Sequence, residues 1–217
     1  MKILIYLFIA IFFSASMSEA DKKIKRLFDQ PLDKYRIVHY KGENSISKKV
    51  NDLNEEIIIH KSNNSASALF FDIETDLNLS RLHYLNFEWK VKKFNNKNEK
   101  KKENHDFPAR IYLKFKTGYL PWEKYYINYV FSNAHFKNDH WKSPYLNIFT
   151  KSHDVAINGK RDPSDYWIKH KVNLVNDIQK FWNLDISYLE SIALMVDTDN
   201  TGAKTEAQYK NIYLSQY

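Results

Sequence analysis

Two segments of the chain alternate apolar and polar residues with a period of two, and this pattern constrains the fold most. Residues 85–91 read Leu-Asn-Phe-Glu-Trp-Lys-Val, and residues 110–115 read Arg-Ile-Tyr-Leu-Lys-Phe. Because successive side chains of a strand point to opposite faces, this alternation predicts strands with one buried face. A chain that contains such strands has to cover their apolar face with a second layer.

Eight further segments have the composition of strands. They are residues 35–40, 55–60, 66–73, 125–132, 145–150, 166–172, 191–196 and 209–214. Only residues 173–182 carry apolar side chains at three- and four-residue spacing, which predicts one short helix. Polar or turn-rich runs at 95–105 and 153–163 predict loops. Many short strands with one helix predict an all-β fold, either a sandwich or a barrel.

The N-terminal segment has the features of an export signal. Lys2 precedes an apolar run at residues 3–13, and Ser18-Glu19-Ala20 resembles an A-x-A cleavage site. The run is shorter than the roughly 20 residues that a membrane span needs. We therefore expect residues 1–20 to be a signal peptide and residues 21–217 to be a single β-sandwich domain, periplasmic or secreted, with no membrane span in the mature chain. A retained N-terminal anchor is the alternative.

The charge and the lack of cysteine narrow the classes of partner. Lys and Arg number 33 against 26 Asp and Glu, which gives a formal net charge of +7, and no cysteine is present. Disulfides and thiol chemistry are thereby excluded. A basic surface favours anionic polysaccharide, lipopolysaccharide or nucleic acid. Export makes nucleic acid the least favoured of these, so we expect carbohydrate or envelope polysaccharide. The sequence carries no signal for the oligomeric state.

Residues 192–202 run from an apolar strand into an acidic cluster, reading Ile-Ala-Leu-Met-Val-Asp-Thr-Asp-Asn-Thr-Gly. Asp197 and Asp199 are two apart, so on a strand they would face the same side and converge on a cation or on sugar hydroxyls. With Asn200 they offer the oxygen ligands that calcium prefers, although the spacing is not that of an EF-hand. We expect no other cofactor. The alternative is a turn in which Asp and Asn bond their own backbone.

A second polar pair precedes the alternating strand at 110–115. Asp106 and Arg110 are close enough in sequence to pair, and such pairs orient loops as often as they serve chemistry. If this strand neighbours the one that ends at Asp197, three carboxylates and one guanidinium share a polar site. Aromatic rings stack on the C–H faces of sugars, and Trp122 and Trp141 are the candidates for that role. The alternative is that these rings fill the core.

Three motifs now stand in order along the chain. They are residues 85–91, residues 105–115 beginning His-Asp-Phe-Pro-Ala, and residues 197–202 followed by Ala-Gln-Tyr-Lys-Asn-Ile at 207–212. Together they resemble the bacterial domain-of-unknown-function family 3047, across residues 25–215. The resemblance implies an exported bacterial protein without an assigned activity. By analogy it also implies a jelly-roll sandwich like those of many carbohydrate-binding modules.

The leading hypothesis is an exported, non-catalytic β-sandwich that binds carbohydrate at the cell envelope. One alternative is a carbohydrate-active enzyme that uses Asp106 with Asp197 or Asp199, because glycoside hydrolysis needs two carboxyl groups at a defined separation. The other is a structural or protein-interaction module. The residues proposed to contact the ligand are Asp106, Arg110, Asp197, Asp199, Trp122 and Trp141.

Overall fold

The computed structural model describes residues 24–116, 122–186 and 188–217. The predicted signal peptide, residues 1–20, lies outside these ranges. The strands are β1 (Ile24–Arg26), β2 (Arg36–Lys41), β3 (Ser45–Val50), β4 (Glu56–Asn63), β5 (Ala66–Asn78), β6 (Tyr84–Val91), β7 (Arg110–Lys116), β8 (Lys124–Phe131), β9 (His140–Lys142), β10 (Thr150–Asn158), β11 (Trp167–Asn173), β12 (Tyr188–Asp197) and β13 (Lys204–Ser215). The α-helix α1 spans Leu174–Trp182, and two short 3-10 helices span Leu32–Lys34 and Lys102–Asn104.

The strands form two sheets. The first has the order β11-β6-β13-β4-β3, with β1 also paired to β13, and the second has the order β2-β5-β12-β7-β8-β10-β9. Among the described strands, β8 and β10 form the one parallel pair, and the other pairs are antiparallel. The all-β sandwich predicted from the sequence is therefore confirmed.

The core lies between the two sheets. The apolar residues of the two alternating segments, on β6 and β7, are buried in one cluster that spans both sheets. Trp89 is fully buried, and its indole Nε1 donates a hydrogen bond of 2.8 Å to Asn158 Oδ1. Burying a side chain of this size contributes roughly 2–3 kcal/mol. The alternation thus places one face of each strand inward, as the sequence predicted.

The helix begins where an asparagine caps it. Asn173 Oδ1 accepts a hydrogen bond of 3.0 Å from the backbone N–H of Asn176, which satisfies one of the free donors of the first turn. The helix ends at Asn183, which has a left-handed φ of 54°. Leu174 and Ile178 are its buried residues. No described helix is long and apolar enough to cross a membrane.

The region around β10 differs from the sequence prediction. The sequence predicts a strand at residues 145–150 and a loop at 153–163. The structure instead has the strand β10 at Thr150–Asn158, and residues 145–149 lie in turns beside one isolated bridge between Asn147 and Thr150. The outward side chains of β10 include Ser152 and Asp154, which are buried. Because this face is polar yet covered, the sequence shows no contrast between a buried and an exposed side.

Candidate functional site

The candidate site lies on the face of the seven-stranded sheet that is turned away from the core. β12 and β7 are neighbours, with Met195 opposite Arg110. The Arg110 guanidinium donates a hydrogen bond of 2.7 Å to Asp197 Oδ2, and the backbone N–H of Phe107 donates one of 3.0 Å to Asp197 Oδ1. Complete burial raises the pKa of Asp197 to about 7, against the opposing effect of Arg110. Both carboxylate oxygens of Asp197 are therefore engaged by fixed donors.

Asp106 holds the acidic turn in place. Its buried carboxylate accepts hydrogen bonds from the backbone N–H groups of Asn200 and Thr201 and from the Thr201 hydroxyl, at 2.7–3.2 Å. Gly202 closes the turn with a left-handed φ of 68°, which glycine adopts without steric cost. The turn is thus anchored by the Asp106 side chain, which lies 94 residues before Asn200 and 95 residues before Thr201 in the sequence.

A network of small polar groups fixes the backbone beneath this turn. The Asn44 amide donates to Val196 O at 2.8 Å and also contacts His60 Nε2 at 2.8 Å. The hydroxyls of Ser62 and Thr198 lie 2.7 Å apart. Burial lowers the pKa of His60 to about 3, so this imidazole is neutral at physiological pH. The network makes the end of β12 a rigid support for Asp197.

Three buried residues that the sequence reasoning missed extend the polar cluster across the sheet. His105 Nε2 lies 2.8 Å from Asp154 Oδ2, and the Asn128 amide donates a bond of 2.7 Å to Asp154 Oδ1. Burial lowers the pKa of His105, so Nε2–H donates to Asp154 while Nδ1 faces the Arg110 guanidinium at 3.4 Å. One signal was present in the sequence, because Asn128 interrupts the run of aromatic and aliphatic residues from Tyr125 to Phe131.

A cavity of about 380 Å³ opens beside this cluster. Four tyrosines line it, and the rings of two of them, Tyr112 and Tyr126, stack with centroids 5.0 Å apart. Its polar lining includes Arg110, Asn128 and Asp197. This volume falls in the range of about 300–1,000 Å³ typical of small-molecule sites. The tyrosines that line the cavity are Tyr40, Tyr112, Tyr126 and Tyr145.

Two polar atoms of residues that line the cavity have no hydrogen-bond partner in the described part of the chain. Arg110 Nε and Asn128 Oδ1 are both buried, and neither makes a hydrogen bond to a described residue. Buried polar groups without partners are uncommon and costly in folded proteins. Arg110 and Asn128 line the cavity, but these two atoms are covered by protein and do not face it directly.

A larger cavity of about 580 Å³ lies beside β1 and β13 of the other sheet. Four of its charged residues form two ion pairs. Lys210 contacts Glu55 at 2.7 Å, and Lys48 contacts Glu56 at 2.7 Å. Because no buried polar cluster accompanies these pairs among the described residues that line it, the smaller cavity is the better candidate.

The structure brings together four of the six residues proposed from the sequence. Asp106, Arg110, Asp197 and Asp199 form one cluster, but Asp106 is fully buried and is not among the residues that line the cavity. Asp199 lines the cavity and lies 3.9 Å from Lys41 Nζ. The carboxylates of this cluster therefore divide into one that holds the turn and two that face the cavity.

The two tryptophans occupy different environments. Trp141 is 7% exposed and packs with Phe107, Val130 and Ala156, so it does not offer a ring face for a sugar, and its proposed stacking role is not supported. Its ring is covered by the Phe107 ring, which stacks on it with centroids 6.3 Å apart, and by the His135 ring at 4.8 Å. Trp122 is 54% exposed but is not among the described residues that line the cavity.

Of the predicted calcium ligands, Asp197 and Asp199 lie close together and Asp106 joins them, whereas Asn200 contacts this group through its backbone N–H, which donates to Asp106. One carboxylate oxygen each of Asp106, Asp197 and Asp199 lie within 4.8 Å of one another. However, Arg110 already neutralises Asp197, and three donors from the turn occupy Asp106. Calcium takes six to eight oxygen ligands, and here the oxygens are largely engaged by N–H and O–H donors. The calcium site that the sequence offered is thus left with few free ligands.

Comparison with known proteins relates the fold to solved structures. A cellulase derived from Cel12A of Rhodothermus marinus aligns with a TM-score of 0.50 and 8% identity, covering 90% of this chain and 96% of that protein. The xyloglucanase domain of NopAA from Sinorhizobium fredii has a TM-score of 0.46 and 9% identity, with 91% and 99% covered. A family 11 carbohydrate-binding module from Clostridium thermocellum has a TM-score of 0.43 and 12% identity, with 89% and 94% covered.

At such low identity the likeness to the cellulase concerns the fold alone, which is a jelly-roll β-sandwich. No curated protein matches the chain in sequence. A family model does match, and it covers residues 31–213, which include the seven-stranded sheet and every residue of the polar cluster. The chain therefore belongs to the family described as protein of unknown function, DUF3047.

Proposed function

We propose that this chain is an exported, non-catalytic protein that binds carbohydrate in the tyrosine-lined cavity. The observation that carries the proposal is the combination of four tyrosine side chains with a fixed polar wall in one cavity. Sugar rings present C–H faces to aromatic rings and hydroxyls to polar groups, so a site for them needs both kinds of surface. The cavity provides both within about 380 Å³.

The polar wall suits recognition because it is already rigid. Asp197, Arg110, His105 and Asp154 hold one another through buried contacts. A ligand therefore meets groups whose orientation is set before binding, and less conformational entropy is lost when the complex forms.

The alternative of a carbohydrate-active enzyme has less support. An acid–base pair needs carboxyl groups that can exchange protons with the substrate. Asp106 is enclosed by the turn, and both oxygens of Asp197 already accept bonds from fixed donors. Asp199 is then the one carboxylate of the three that has freedom to act, which does not supply a pair. We therefore favour binding without turnover.

The experiment is a glycan array probed with the purified protein, followed by titration of any bound glycan. Tyr112→Ala removes an aromatic surface of the cavity and should weaken binding at least tenfold. Tyr166→Ala is the matched control, because Tyr166 is 67% exposed and does not line the cavity. If no glycan binds, or if both variants bind alike, the proposal fails and a protein-interaction module becomes the better account. Release of reducing ends from a bound glycan would instead favour the enzyme.

A further inference from the structure

One end of the seven-stranded sheet carries a group of exposed apolar side chains. β8 and β10 run parallel with Lys124 opposite Thr150, so the residues that precede both strands lie at the same end. Ile148 is 76% exposed and Trp122 is 54% exposed. We call this group the apolar tip, and it consists of Trp122, Tyr145, Leu146, Ile148 and Phe149. Exposed large apolar side chains grouped at one end of a sheet are typical of an interaction site.

Four exposed lysines surround the apolar tip. Lys124 begins β8 and its backbone N–H donates to Phe149 O at 2.8 Å, while Lys151 is the second residue of β10. Lys142 ends β9 beside β10, and Lys102 Nζ lies 5.4 Å from the centre of the Tyr145 ring. Within the part of the chain that the structure describes, none of the four forms an ion pair. We call these four residues the basic rim.

We propose that the apolar tip inserts into the interface of an anionic lipid bilayer while the basic rim contacts the lipid headgroups. Aromatic and aliphatic side chains beside lysines are the combination that binds membrane interfaces, because the first enter the acyl boundary and the second attract anionic headgroups. The formal net charge of +7 adds long-range attraction to such a surface.

Two other occupants fit the observations less well. In a symmetric pair of this chain the same patch would meet itself, and the two basic rims would repel each other. An anionic polysaccharide would satisfy the lysines but would offer no apolar medium to Ile148, the most exposed member of the tip. A bilayer accounts for both the lysines and the apolar side chains.

The experiment is flotation of the purified full chain with vesicles of phosphatidylcholine and phosphatidylglycerol at 70:30, compared with phosphatidylcholine alone. We expect Ile148→Asp to lower binding to the anionic vesicles at least tenfold, because an aliphatic side chain is replaced by a carboxylate. Lys124→Gln and Lys151→Gln should each lower it about fivefold. Leu53→Asp is the matched control, since Leu53 is 79% exposed in the turn between β3 and β4, and it should leave binding unchanged.

A second measurement reports on the tip alone, so that binding through residues 1–23 cannot mimic the result. Lipids brominated in the acyl chain should quench part of the tryptophan emission, and Trp122→Phe should abolish that part. Equal quenching in wild type and Trp122→Phe would overturn the proposal, as would equal flotation of Ile148→Asp and Leu53→Asp. A concentration-dependent dimer that Ile148→Asp dissociates, without vesicle binding, would assign the tip to self-association instead.

Discussion

Replacing Asp106 by alanine tests whether one buried carboxylate holds the acidic turn. The substitution removes the acceptor of three donors, the backbone N–H groups of Asn200 and Thr201 and the Thr201 hydroxyl. A hydrogen bond to a charged group contributes about 1.5–3 kcal/mol, and buried donors left without partners add a desolvation cost. Partial entry of water offsets some of the sum, so we expect unfolding to become easier by about 3–5 kcal/mol.

Two further variants make the magnitude interpretable. In Asp106→Asn the amide oxygen can take the position of Oδ2, which accepts three of the four contacts, so the loss should fall to about 1–2 kcal/mol. Asp199→Ala removes a carboxylate of the same cluster whose ion pair with Lys41 is long at 3.9 Å. Such partly exposed pairs contribute little, and we expect a loss below about 1 kcal/mol.

Urea denaturation followed by tryptophan fluorescence measures these differences as shifts of the midpoint at constant slope. For a domain of this size, 3–5 kcal/mol corresponds to a fall in Tm of about 6–20 °C, which differential scanning calorimetry would detect. If Asp106→Ala unfolds at the same urea concentration as Asp199→Ala, the carboxylate does not anchor the turn. A changed slope would instead indicate an altered unfolded state.

Three other predictions concern calcium, His170 and Gly159. Excess calcium or a chelator should leave Tm unchanged, because donors already occupy the clustered carboxylates; a rise with calcium would contradict this. Burial lowers the pKa of His170 to about 4 in the folded protein, so below pH 6.5 the proton binds more readily to the unfolded chain. The free energy of unfolding should therefore fall by about 3 kcal/mol as the pH drops from above 6.5 to 4. Urea midpoints of wild type and His170→Gln at both pH values measure that loss, and parallel pH curves would refute it. Gly159→Ala should cost roughly 3 kcal/mol in a thermal melt, because a Cβ there would lie 2.3 Å from the Lys137 backbone nitrogen; a wild-type Tm would exclude the clash.

The fold was predictable where one face of a strand is buried and the other is exposed or polar. On β6 the apolar residues from Leu85 to Val91 are buried and alternate with polar ones, of which Asn86 is also buried, and the helix shows its buried Leu174 and Ile178 at a spacing of four. The sequence failed at β10, where Asp154 is covered on the outer face. Periodicity reports contrast between two faces, and a strand buried on both faces through polar partners provides none.

The candidate site was predictable in its residue types but not in its geometry. The sequence singled out Asp106, Arg110 and Asp197, and these do form one cluster. Their proximity depends on β12 lying between β5 and β7, which is a property of strand order between distant segments. No local pattern encodes that order, because it follows from how the two sheets bury their apolar faces together. His105 and Asp154 joined the cluster for the same reason.

The acidic motif at the end of β12 therefore has two structural roles that the sequence could not separate. Asp197 forms part of the cavity wall, and the residues after it form a turn that Asp106 holds in place. Asp197 is fixed by Arg110 and by the Phe107 backbone, and the following turn is fixed by Asp106. Groups that are already bonded at both oxygens stabilise a shape, whereas general acid–base chemistry needs groups free to gain or lose a proton at the substrate. The distribution of hydrogen bonds thus favours a preorganised wall for recognition, with the tyrosines of the neighbouring strands supplying the contact surface.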